Sequence, residues 1–227
     1  MTNTLHRYGP SESFRDDYIV FAIASKGRND EGALEKQRRF LQLALPFHPV
    51  NLGDALHGGA LRPSSNMNPL DHWSRDVRPD FQAVIDGLNQ ATTVAAVFDN
   101  REAAENFVAA IKAEDLGLSV NISTSVEGAE QCCLAAGLER HSVGYSLGFE
   151  GKTEKLPDEQ VLLLSTMCGH GMVSHALARK MLDWVREGRR TPEQAAAVLT
   201  RFCSCGVFNP TRAARVLAGS GNAEKAT

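Results

Sequence analysis

VLLLSTMCGHGMVSHAL, residues 161–177, is the stretch on which the fold turns. Its first six residues form a short apolar run. A run of that kind suits a buried strand. We read 161–166 as a strand, then a glycine turn, then a helix over 172–187 with Val173, Leu177, Met181 and Trp184 on one face. Cys168 then stands at the carboxyl end of a strand, where open α/β sheets bind their ligands. Gly169 and Gly171 allow a sharp turn, and the following helix start favours a thiolate.

Upstream, the same alternation recurs. Residues 18–24 are a continuous apolar run, and Leu34, Leu41 and Leu45 share a helical face before Pro46. Residues 92–98 read as a strand, 101–115 as a helix capped by Asp99 or Asn100, and 118–124 as another strand. A short helix carrying Cys132 and Cys133 and a third strand over 141–149 follow. Strands separated by helices of this length favour parallel pairing. The expected fold is therefore α/β: a mostly parallel sheet with flanking helices and a small C-terminal helical segment. Residues 1–157 make the sheet domain and 158–220 a final strand plus helices, integrated with it. Residues 221–227 are a tail.

Downstream, Thr191-Pro192-Glu193 and Asn209-Pro210 each open a helix. Between those helices lies FCSCG, residues 202–206. A C-x-C pair cannot present both thiols from one helix face, so it suits a loop that wraps a metal. If the C-terminal helices fold back on themselves, Cys168, Cys203 and Cys205 converge, with His170 or His175 as a fourth ligand. Five cysteines, an odd number, argue against a disulfide framework. The plain reading of Cys132 and Cys133 is small core residues.

Three chemistries fit three cysteines. The leading one is an iron–sulfur cluster with one open iron acting as Lewis acid. It implies a lyase or hydratase for a small anionic metabolite, with His170 as general acid or base and Arg212 holding the substrate's charge. Zinc with Cys3His ligation is the second. Metal-free thiol redox chemistry is the third, and a non-catalytic metal- or ligand-binding module is the alternative to any enzyme. Residues 51–77 read as a long loop carrying His57, His72, Arg62 and Arg75, expected to cover the Cys168 turn.

Composition narrows the partners. The 227 residues carry a net charge of -3 with no basic block, so nucleic acid is not expected. No apolar run approaches a membrane span, and the first residues lack a signal pattern, so a cytoplasmic protein is expected. There is no G-x-G-x-x-G, which leaves the nucleotide-cofactor reading without support.

Overall fold

The computed structural model describes residues 5–61 and 79–220. Five strands form one sheet in the order β3-β2-β4-β1-β5. They are β1 (Tyr18–Ile23), β2 (Asn51–Asp54), β3 (Gly58–Gly59), β4 (Thr93–Phe98) and β5 (Ser119–Ser123). Every neighbouring pair is antiparallel: Tyr18 faces Phe98, Ile19 faces Ser123, Asn51 faces Val97 and Gly53 faces Gly59. The expectation of a mostly parallel sheet is therefore wrong, and the reason is topological. β1 and β2 do run the same way, joined by helix α1 (Ala33–Ala44), but β4 is inserted between them. β4 and β5 likewise run the same way, joined by α3 (Arg101–Glu114), with β1 between them. Two split β–α–β units interlock, so each crossover skips a strand.

A second correction concerns the opening stretch. Residues 161–166 form no strand; Glu159–Ser165 is helix α5. Its start is set by Asp158, whose side chain accepts from the Val161 N–H at 2.9 Å. Residues 141–149 form no strand either and are exposed along their length. Helices α6 (His175–Arg186), α7 (Pro192–Arg201) and α8 (Pro210–Ser220) complete the C-terminal part. Ser174 caps α6, and Thr191 with Gln194 forms a reciprocal capping box on α7.

The sheet lies between two helical layers. Tyr18, Val20, Ala22, Val94, Ala96 and Phe98 point to one side. They meet α1, α3, α2 (Phe81–Gly87) and α4 (Val126–Ala135). Phe107 is the centre of that layer, 5.1 Å from Phe40 and 5.2 Å from Phe98 between ring centroids. Ile19, Phe21, Ile23, Ala95 and Val97 point the other way, against α5 to α8. Covering both faces buries all six residues of β1. Burial of a large apolar side chain contributes about 1.5–3 kcal/mol each. Among the described residues no helix is long and apolar enough to cross a membrane.

Candidate metal centre

Cys168 follows α5, not a strand. The chain turns through Gly169, whose φ of +83 is a left-handed value that L side chains rarely adopt. A methyl group on Gly169 would also lie 2.7 Å from Leu5 Cα, because the N-terminal segment crosses this turn. The His6 N–H donates to the Gly169 carbonyl at 3.1 Å, and the Tyr8 N–H donates to Thr166 Oγ1 at 3.0 Å. Cys203 and Cys205 lie in the turn between α7 and α8, whose backbone at Gly206 is also left-handed, with φ +69. A methyl on Gly206 would meet Gly53 Cα at 2.7 Å and Gly59 at 3.0 Å. The cysteine loop is thus pressed backbone-to-backbone on the β2–β3 hairpin, and Asn51 Nδ2 fastens it by donating to the Phe208 carbonyl at 2.8 Å.

The two turns bring their side chains together. Cys203 Sγ and Cys205 Sγ are 3.3 Å apart, and His170 Nδ1 lies 3.1 Å from Cys205 Sγ. Ligand atoms of Cys168, His170 and Cys205 all lie within 4.8 Å of one another, a group that could hold a metal ion. Cys168 and Cys203 are buried, Cys205 is half-buried and His170 is exposed.

The electrostatics of the thiols are strongly coupled. Hydrogen bonds from Cys203, Cys205 and His170 hold the Cys168 thiol far below its usual range, against the opposing effect of burial. The same contact with Cys168 pushes Cys203 up to about 12. Cys205 is also raised, by Cys168 and then Cys203. His170 is raised by its bond to the Cys168 sulfur. One thiolate forms at the expense of its neighbours, which stay protonated as donors. A bound cation removes that competition, since metal binding and thiol deprotonation are linked.

The other residues singled out in the sequence lie as follows. Arg212 is buried and turned inward: Nη1 donates to Asp17 Oδ2 at 2.8 Å, Nη2 to Ser13 Oγ at 2.9 Å, and the guanidinium lies 4.3 Å over the Phe14 ring. Its fork is engaged inside the protein. His175 is exposed on the first turn of α6. Cys132 is buried in the opposite layer and Cys133 is half-buried beside it. In the 51–77 segment, β2 and β3 touch the cysteine loop through their glycines. His57 does not follow them: its Nδ1 is 3.1 Å from Asp54 Oδ1, and Asp54 pairs with Val94 on the phenylalanine side. Arg62, His72, Arg75 and Arg78 lie outside the described residues. Two clefts of about 330 Å³ sit elsewhere, one lined by Tyr8, Phe149, Leu156 and Leu162, the other by Ile23, Lys26, Asp30 and Thr92.

Sequence reasoning missed a buried polar group beneath the cysteines. Asp17 is fully buried and accepts from Arg7, Arg212 and Asn209, the last at 2.8 Å. Asn209 was legible as a helix cap and does accept from the Arg212 N–H at 2.9 Å, but its bond to Asp17 spans 192 residues and left no local trace. No protein-family model, curated protein or solved structure matches this chain.

Proposed function

We propose that this protein binds a single thiophilic metal ion through Cys168, Cys203 and Cys205, with His170 as the fourth donor. The observation that carries the reading is the compactness of the donors. A tetrahedral ion with metal–sulfur bonds of roughly 2.3 Å has sulfur–sulfur edges of about 3.8 Å. The 3.1 Å His170–Cys205 contact and the 4.8 Å limit on the Cys168–His170–Cys205 group bracket that edge; Cys203 lies outside that group and reaches it through its 3.3 Å contact with Cys205. In a multi-iron cluster each protein thiolate has its own iron, which spreads the sulfurs further. The distances therefore favour one ion of zinc type over the iron–sulfur cluster expected from sequence.

Such an ion ties the α5–α6 turn to the α7–α8 turn and steadies the helical layer, as structural zinc does. A lyase or hydratase reaction on a small anion is the second reading, and the exposure of His170 favours it. His170 is the one donor at the surface, so its departure opens a coordination position to solvent. A metal held there would supply Lewis acidity, and the His170 imidazole at the surface would be placed to hold or give a proton. The buried Arg212 fork does not serve as the substrate clamp in this reading.

Metal and sulfide analysis of protein purified without oxygen tests both. The expected result is one zinc-type ion per chain, no acid-labile sulfide, and loss of the ion in Cys168→Ser, Cys203→Ser and Cys205→Ser but not in Cys133→Ser. Brown protein with stoichiometric iron and sulfide would return the cluster. Full metal-free folding with a Cys203–Cys205 disulfide would instead favour the thiol redox reading.

A further inference from the structure

The two edges of the sheet are built differently. β3, at one edge, is only Gly58–Gly59, and a very short edge strand offers little to pair with. β5, at the other, is Ser119–Ser123, paired with β1 in unbroken register from Ile19–Ser123 to Ile23–Ser119. The charge, proline or bulge that keeps an edge strand from recruiting another is missing from it. Val120 and Ile122 pack on the phenylalanine layer, which puts Ser119, Asn121 and Ser123 on the opposite face. Among the described residues no strand takes the outer side of β5. Asn29 Nδ2 donates to the Gly117 carbonyl at 2.9 Å and Arg7 Nη1 to the Ser123 carbonyl at 3.0 Å, so the open stretch lies between those two contacts.

A strand of matching character is exposed on the same chain. In residues 141–147, Val143, Tyr145 and Leu147 alternate with Ser142, Gly144 and Ser146, one apolar face and one small polar face, as in β5. All are exposed, Leu147 at 87%. The segment cannot serve its own β5. Arg140 Nη1 holds one end by donating to the Val126 carbonyl at 2.9 Å. Gly148, with φ +80, turns the other end back, and Phe149 meets Tyr8 at 5.8 Å between ring centroids. Val126 comes just after Ser123 in the chain, and Tyr8 adjoins the Arg7 that holds Ser123, so both fastenings lie at the carboxyl end of β5. Running the length of β5 and back takes about 34 Å of extended chain, and residues 140–149 span at most about 31 Å. We propose that residues 141–147 pair with the outer edge of β5 in a second copy of this chain, and that the second copy returns the same segment. The apolar face of the incoming strand then continues the face of Val120 and Ile122, and its serines and glycine continue that of Ser119 and Asn121. Mutual exchange closes a two-fold dimer. The pairing is independent of the metal centre.

Light scattering of the full chain over a concentration series tests the pairing. Wild type should be a dimer. Tyr145→Asp combined with Leu147→Asp should weaken dimerisation at least about tenfold, through the loss of two large apolar contacts per segment. Both side chains are exposed, so circular dichroism of the variant should match wild type. Hydrogen exchange locates the contact: the amides of residues 119–122 should exchange more slowly in the wild-type dimer than in the monomeric variant. A synthetic peptide of residues 140–149, added in excess to wild type, should split the dimer into monomers that carry the peptide, with no substitution in the chain. This arm decides the matter if the double variant does not fold. A wild-type chain that stays monomeric, a dimer that survives the substitutions or the peptide, or a dimer whose β5 amides exchange as fast as the monomer's overturns the proposal.

Discussion

On one side of the sheet, Phe40, Phe47, Phe98 and Phe107 pack ring against ring with Cys132 among them. On the other, the same strands support three cysteines and the carboxylate of Asp17 shared by the buried Arg7 and Arg212. Together the two layers bury β1 along its whole length, while β5 at the sheet edge stays partly exposed. They differ in what removal of a side chain would do. The phenylalanine layer is held by apolar area, which is lost in proportion to the atoms deleted. The cysteine layer has an apolar core as well, and adds thiols and ion pairs that depend on one another, so a single loss among those disables a set.

Phe107→Ala is the largest expected stability change. It should lower the unfolding free energy by about 3–5 kcal/mol by leaving a cavity between Phe40 and Phe98. Denaturant titration measures the loss, and metal per folded chain should stay at the wild-type value. A fall in metal content would show the two layers to be coupled through the sheet. Gly206→Ala reverses the pattern. Its left-handed φ and the 2.7 Å approach to Gly53 make a methyl group costly, at about 1–3 kcal/mol. Moving the loop off the hairpin should displace Cys205 and cost most of the zinc affinity. Retention of wild-type affinity in that variant would mean that the glycine contact does not position the ligands.

The smallest effect concerns protons. Burial pushes the Cys132 thiol from its ordinary 9.0 up to about 12. The folded state therefore holds a proton that the unfolded chain releases first. The associated stability is complete below about pH 9 and is lost as pH rises from there towards 12. Cys132→Ala should flatten the fall in stability between pH 8 and pH 10.5, while alkylation at pH 8 should leave wild-type Cys132 unmodified. An unchanged pH slope would place the loss in the other layer.

The element positions were readable because each strand and helix carries its own periodicity and cap. Strand direction was not. A continuous apolar run such as 18–23 reports that both faces are covered, a state typical of parallel sheets but reached here by an antiparallel one. Helix α5 had a legible signal that its apolar run outweighed: Pro157, Asp158 and Glu159 are a helix start, and Asp158 caps Val161 as such a start requires. Residues 141–149 show the opposite failure. Val143, Tyr145, Leu147 and Phe149 alternate as a half-buried strand would, yet all four are exposed. At the metal centre, glycines and cysteines announced the two turns. Arg7 and Asp17 gave no sign, since their partners Met167 and Arg212 stand 160 and 195 residues away.

Those separations bear on the order in which the molecule is assembled. All five strands and helices α1 to α4 lie between residues 18 and 135, so the sheet and its phenylalanine layer are synthesised before α5 to α8. Asp17 then waits at the start of β1 for Asn209 and Arg212, which follow it by 192 and 195 residues. Contacts of such long range close slowly. During that interval the cysteine side of the sheet is bare, and Cys168 is made before its partners Cys203 and Cys205 exist. The layer that gathers the cysteines is thus the one that is completed late.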